Sequence, residues 1–296
     1  MSTQRLFSII IPTYGRPDLL RRCLQSIIDS PFPKGDFEVI VVDDGSPEPI
    51  EELFENFDDR TNCCFLRQGN AGPATARNNG AEMAKGTYLV FIDDDCQLDE
   101  KYLVNLKGAF ERSPNSVLTG SVINHLKDNI FSEASQLLID YLHVTLREVD
   151  GNAGFLTSNN FALPKNLFNQ IGGFDIRFSK AAAEDREIGL RLEHLGHPVI
   201  YSSDLVVRHS HDLDFFRFFK QHFNYGRGAY SFFKIRSEYH DVTARVHSFK
   251  FYSKMFRYPF EVKNKWPAIK ITCLFLLSQI GTFLGYFFEK ISQKSK

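Results

Sequence analysis

TYLVFIDDD, residues 87–95, decides the fold. Five consecutive apolar residues, Tyr88 to Ile92, are too few for a buried helix and rich in β-branched and aromatic side chains, so they read as a buried strand that ends in three carboxylates. LFSIIIPTY (6–14) and FEVIVVDDGS (37–46) follow the same plan, an unbroken apolar run with a polar tip. Unbroken rather than alternating hydrophobicity means that both faces of the sheet are covered. Residues 17–30 carry Leu19, Leu20, Cys23, Leu24, Ile27 and Ile28 at the spacing of an amphipathic helix, with Pro17 at its start. A helix is expected near 48–57, a short strand at 63–67 and a helix at 72–85 led by Gly72-Pro73. Strand and helix in alternation predict an α/β fold, a mainly parallel sheet flanked by helices. Ligands of such sheets bind beyond the carboxyl ends of the strands. The tips PTY, DDGS and DDD are therefore expected to converge on one crevice.

The second half is less regular. The patterns predict a helix at 99–112, a strand at 116–122, an amphipathic helix at 131–147, strand and turn at 154–165, a helix at 184–195, short strands in 197–211 and an aromatic, basic helix at 213–235. One catalytic domain over 1–212 is expected, in a first half of about 1–98 and a second of 99–212, followed by a helical extension over 213–296.

Charge chemistry narrows the function. The chain of 296 residues carries a net charge of −1, so no global field draws it to nucleic acid. Five cysteines without CxxC spacing read as reduced thiols, and the short apolar run at the N-terminus is not a secretion signal, so a cytoplasmic catalytic domain is expected. Asp43-Asp44-Gly45-Ser46 alone could be an Asx turn. Asp93-Asp94-Asp95 is different, because three carboxylates at one tip repel each other unless cations or donors offset them. Hard oxygen ligands of this kind suit Mg²⁺ or Mn²⁺, which also hold substrate phosphates. Arg77 sits early in the 72–85 helix, placed to meet a phosphate or a carboxylate. Neither GxxxxGK[ST] nor GxGxxG occurs, so P-loop and dinucleotide-binding readings lack their signature.

In order and spacing, SIIIPTYGRPDLLRRCLQSI (8–27), EVIVVDDGS (38–46), GPATARNNGAEMAKGTYLVFIDDD (72–95), GGFD (172–175) and AEDREIGLRL (183–192) resemble the family-2 glycosyltransferases, enzymes of the GT-A fold. The resemblance covers roughly residues 6–210 and implies transfer of a sugar from a nucleotide-sugar, a UDP-sugar by default. It implies that Pro12 and Tyr14 line the nucleotide pocket, that Asp44 holds the base or ribose, and that Arg77 lies near the base and diphosphate. Asp93-x-Asp95 matches the family's DxD metal motif, with Asp94 also available and Asp95 as principal ligand; Asp93, Asp94 and Glu184 are also candidate substrate contacts. Asp185, beside Glu184, matches the catalytic base; His209 is the candidate for a further metal ligand, with His211 two residues on. The QxxRW motif of processive synthases is absent; RHSHDLDFFRFF (208–219) stands near its place, so single additions are expected. A base opposite the leaving group implies inversion.

Residues 271–288, ITCLFLLSQIGTFLGYFF, hold no charge. As a helix they span about 27 Å, close to the hydrocarbon thickness of a bilayer. Gly281 and Gly285 form a GxxxG, a helix-pairing face in membranes, though small residues also occur in soluble helix contacts. A homo-oligomer stays open as a further partner state. Lys263, Lys265 and Lys270 precede the segment and Lys290, Lys294 and Lys296 follow it, so crossing the bilayer and lying on it both stay open. Membrane association, with a saccharide or lipid-linked acceptor, is the expectation. The competing readings are a sugar-1-phosphate nucleotidyltransferase and a non-catalytic, membrane-bound donor-binding scaffold.

Overall fold

The computed structural model describes residues 5–53, 62–150, 156–178, 183–197, 199–239 and 248–294. Strands β1 (Phe7–Thr13) and β2 (Phe37–Asp43) are buried along their whole length, as their unbroken apolar runs require. Between them, α1 (Pro17–Ile28) turns Leu20, Cys23, Leu24 and Ile27 into the core. The strand β3 (Cys63–Arg67), the helix α2 (Pro73–Met83) and the strand β4 (Tyr88–Phe91) complete the first half. The helix expected at 48–57 is a single 3-10 turn at Glu51–Leu53, and residues 54–61 lie outside the described residues. The run TYLVFIDDD is strand only as far as Phe91. The three acids occupy a tight turn between β4 and β5 (Cys96–Leu98), where Cys96 N–H donates to the Asp93 carbonyl.

The remaining strands are β6 (Val117–Asn124), β7 (Phe161–Pro164) and β8 (Val199–His209). The eight described strands form one sheet in the order β3-β2-β1-β4-β7-β6-β8-β5. β3, β2, β1 and β4 run parallel. Beyond β4 the sheet is mixed, since β7 is antiparallel to both β4 and β6, β8 parallel to β6, and β5 antiparallel to β8. The short strands expected in 197–211 are one long strand with a register shift at Gly120/Ser121 of its neighbour β6.

One face of the sheet carries α1 and α3 (Tyr102–Arg112), and the other packs α2, α5 (Lys165–Gln170) and α6 (Glu184–His194). A third apolar cluster joins α4 (Ile130–Asp150) to the C-terminal helices α7 (Phe215–Tyr239), α8 (Phe249–Val262) and α9 (Lys265–Lys294) through Leu137, Tyr141, Phe218, Met255, Ile271 and Phe275. The segment 249–262, expected only as part of the helical extension, is a helix in its own right.

The GxxxG of α9 is occupied within the chain. A Cβ at Gly285 would stand 1.9 Å from the Phe223 carbonyl oxygen of α7, and one at Gly226 of α7 would stand 1.9 Å from the Thr282 carbonyl oxygen of α9. The small residues read as a face for a second helix serve backbone-close packing of α9 on α7. Arg227 closes the same seam on Glu289 at 2.7 Å. Gly285→Val should therefore destabilise the protein by about 1–3 kcal/mol, the usual range for overpacking. Urea unfolding checks this; an unchanged midpoint would mean that the two helices do not approach so closely.

Candidate active site

The carboxyl ends of the strands open onto a cavity of about 1570 Å³. Pro12, Tyr14, Asp44, Arg77, Asp93, Asp95, Glu184, Asp185 and His209 all line it. The far wall comes from α7, which contributes Lys220, Gln221, Asn224 and Tyr225.

The acidic turn is built around two arginines. Arg77 is buried in α2 and donates to Asp93 Oδ1 at 2.7 Å and to Glu184 Oε1 at 2.9 Å. It therefore meets carboxylates, the second of the two partners its position in the helix allowed. Arg16 reaches both other acids, 2.5 Å from Asp94 Oδ1 and 2.8 Å from Asp95 Oδ2. Asp94 is fully buried, accepts from Thr13 Oγ1 at 2.7 Å and does not line the cavity. The sequence reading offered it as a substrate contact; the structure instead places it beneath the floor, where it anchors Arg16 and Thr13. Burial, opposed by Arg16, pushes its carboxyl up to about 7.

Asp95 faces His209, with Oδ1 3.2 Å from Nε2. This pair depends on the antiparallel register of β5 on β8, which sets Cys96 opposite His209 and lets Ser210 N–H donate to the Asp95 carbonyl at 2.8 Å. Burial works to raise the Asp95 carboxyl, but His209 and Arg16 outweigh it and hold it well below the carboxylate range. The complementary shift raises His209, whose own burial opposes it. His211 goes the other way, down to about 4, through burial and the neighbouring His209. Of the two histidines, His209 is the one paired with the acid.

Donor atoms of Asp95, Cys96 and His209 lie within 4.8 Å of one another. Burial and the neighbouring carboxylates push the Cys96 thiol far up, and its Sγ–H points at Asp95 Oδ1, so in this structure it serves the carboxylate. What is left is one carboxylate oxygen and one imidazole nitrogen, a partial donor set that suits a divalent ion completed by phosphate oxygens.

Glu184 and Asp185 open α6 behind Ala183, which holds a left-handed φ of 118°. A non-glycine residue in that region costs of order 1–3 kcal/mol, and such strain clusters at functional sites. Burial and the adjacent Asp185, opposed by Arg77, raise Glu184 to about 7. Burial also raises Asp185, against the charge and backbone N–H of Arg186, the latter at 2.8 Å. Across the cavity, Asp44 accepts from Gln68 Nε2, Ala71 N–H and Gly72 N–H, each at 2.8 Å, and so pins the loop that starts α2. A carboxylate has about four acceptor positions, so one is left for a ligand.

Sequence reasoning missed Arg16 and the α7 wall. Arg16 had a signal, a lone cation just after the tip of β1 with three acids to neutralise nearby. The α7 wall had none, because residues 220–225 reach the cavity only through the packing of α7.

The chain matches the family model "Glycosyl transferase family 2" over residues 8–179, more than half its length. It belongs to that family. Among relatives, it is 28% identical over 227 residues to validoxylamine A glucosyltransferase of Streptomyces hygroscopicus subsp. limoneus, covering 67% of this chain and 50% of that protein. It is 22% identical over 243 residues to glycosyltransferase AglE of Haloferax volcanii, covering 77% of this chain and 74% of that one. The chain thus spans about half the length of the validoxylamine A enzymes it matches. Among solved structures, the mannosyltransferase PcManGT from Pyrobaculum calidifontis, in complex with GDP-Man and Mn²⁺, superposes with a TM-score of 0.63 at 15% identity, covering 99% of this chain and 88% of that one. TarS 1-349 of S. aureus in complex with UDP-GlcNAc gives 0.55 at 16% identity, covering 98% and 92%. These likenesses establish the GT-A fold.

Arg77→Ala would leave Glu184 buried without its cation. Loss of one partner of a buried pair costs about 3–5 kcal/mol, and part of that is relieved here because Glu184 can take up a proton. A loss of about 3 kcal/mol is expected in urea unfolding at neutral pH, and a loss below about 1 kcal/mol would refute this role of Arg77.

Proposed function

We propose that this protein transfers one sugar at a time from a nucleotide-sugar, a UDP-sugar being the first candidate, to a hydroxyl of a saccharide or lipid-linked acceptor. We assign it inversion at the anomeric carbon, dependence on Mn²⁺ or Mg²⁺, and a place on the cytoplasmic face of a membrane. One observation carries the reading. A metal-type pair, Asp95–His209, and a raised carboxyl pair, Glu184–Asp185, share one cavity and are tied together through Arg77 and Asp93.

The residues divide the work as follows. Tyr14 is 48% exposed at the rim and offers a ring face for the base, with Pro12 beneath it. Asp44 keeps one acceptor for a base or ribose donor. Arg77 Nε is buried without a hydrogen-bond partner, a donor left over for an anionic oxygen of the diphosphate. Asp95 and His209, with Asp93 beside them, would hold the divalent ion, which supplies positive charge to the departing diphosphate. The imidazole in the donor set favours Mn²⁺ over Mg²⁺. Asp185 takes the proton of the acceptor hydroxyl as it attacks. Glu184, held by Arg77, positions Asp185 at the first turn of α6. A nucleotidyltransferase would keep Arg16 free for triphosphate, whereas here it is bound to Asp94 and Asp95.

Asp95→Ala should abolish metal-dependent turnover and also weaken Mn²⁺ binding measured by electron paramagnetic resonance; near-normal values of both would remove the metal assignment. Asp185→Asn should leave donor affinity within about twofold while kcat falls by about 10²–10⁴, the usual worth of a general base. A base must be ionised, and burial has raised this carboxyl, so kcat/KM should fall as pH drops through a titration that lies above the usual carboxylate value of about 4. An acid limb that stays at the position of an ordinary carboxylate, or no acid limb at all, would argue against Asp185 as the base.

A further inference from the structure

Helix α9 has two faces of opposite character. Ala268, Ile271, Phe275, Ser278, Gly281 and Gly285 are buried against the rest of the protein. On the other side Ile269, Leu276, Ile280, Phe283, Phe287 and Ile291 are each at least 37% exposed, and their spacing of three, four and seven keeps them in one stripe. Trp266, 74% exposed, heads this stripe, and the exposed thiol of Cys273 lies within it. From Trp266 to Ile291 the stripe runs for about 37 Å. A contiguous apolar face of that length marks a docking surface rather than scattered surface residues.

The charges indicate what docks there. Lys265 and Lys270 stand exposed at the start of the stripe, and at its end Lys294 is exposed and Lys290 half-buried. Lys290 Nζ leans over the Phe287 ring at 5.6 Å. The single carboxylate of α9, Glu289, points the other way, into the seam with Arg227. An apolar stripe with a Trp at its head and lysines at both ends complements an anionic lipid surface. A second copy of the chain is a poorer match, because the small residues that would let helices pair closely are already taken by α7.

The packing also decides the orientation. Phe219, His222, Phe223 and Gly226 of α7 contact α9 along its buried face, while Lys220, Gln221, Asn224 and Tyr225 of the same helix line the catalytic cavity. If α9 crossed the bilayer in this packing, α7 would go with it, carrying Arg227 and a wall of the polar cavity into hydrocarbon. That is prohibitive for polar groups. We propose that the outward face of α9 is a monotopic docking surface for an anionic bilayer, with the helix lying in the plane of the interface. α7 is then the one helix layer, about 10 Å thick, between the membrane and the cavity. An acceptor tethered to a lipid would meet the cavity at the membrane surface, a consequence that rests on the sugar-transfer reading; the docking itself does not.

Trp266 is the chain's one tryptophan and reports directly. Adding the full chain to vesicles of equimolar phosphatidylglycerol and phosphatidylcholine should shift its emission to the blue. Phe283→Glu with Phe287→Glu should weaken vesicle partitioning at least tenfold with the unfolding temperature kept, since both side chains are exposed. For the in-plane helix, Trp266 and a tryptophan moved by Trp266→Phe with Phe283→Trp should be quenched most by the same shallow spin-labelled lipid. Quenching maxima at different depths would show that the helix crosses the bilayer and would overturn the proposal. So would vesicle binding unchanged in the double glutamate variant, or no binding by the parent chain, whether it is monomeric or forms a dimer in light scattering that this variant dissolves. The vesicle readout involves no donor or turnover, so its failure and the failure of the sugar-transfer reading are separable.

Discussion

Everything in the cavity depends on neutralising negative charge at the carboxyl edge of the sheet. Asp93, Asp94, Asp95, Glu184 and Asp185 gather there, and the described structure sets Arg16, Arg77 and His209 against them. Carboxylates this close are tolerated only when cations share the site. The compensation is graded. Asp95, next to His209 and Arg16, is held firmly ionised, whereas Glu184 and Asp185, with fewer cations to offset their burial, are raised. One carboxylate kept charged and another pushed toward neutrality is how a single site can offer both a cation ligand and a proton acceptor.

Arg77 couples the two halves of this arrangement. Its guanidinium is planar and presents several donors at once, so it joins Asp93 of the β4–β5 turn to Glu184 of α6. A lysine, a point charge on a flexible stem, would not fix both. The chain separating these carboxylates covers much of the domain, yet they are held one side chain apart. Arg16 plays the corresponding part on the floor, where a buried Asp94 gives it an anchor.

Helix α7 is the second organising element. One side forms the wall of the cavity, and the other accepts α9 at backbone distance through Gly226 and Gly285. A shift of α9 would therefore be felt at the cavity wall. The C-terminal region is built as part of the catalytic body, although its composition reads as an appendage.

The apolar runs of β1, β2 and β4 and the periodicity of α1 were enough to predict an α/β sheet with acids at its strand tips, because burial on two faces demands unbroken hydrophobicity. The family motifs likewise pointed to Asp93, Asp95, Asp185 and His209, residues that the fold does bring to one cavity. Local pattern could not show that Asp94 faces inward. Its neighbours on both sides face the cavity, and only the turn at the end of β4 decides which of three adjacent carboxylates is turned under the floor. Nor could it show that the GxxxG of α9 is spent on α7, since a small-residue face looks the same whether its partner is another chain or a helix earlier in the same chain. The sequence by itself determined which residues must be buried and which chemistry the acids could support. The tertiary structure alone decided which acid meets which cation and which face of α9 is left outward, because those pairings join residues far apart in the chain, whose distances no local rule constrains.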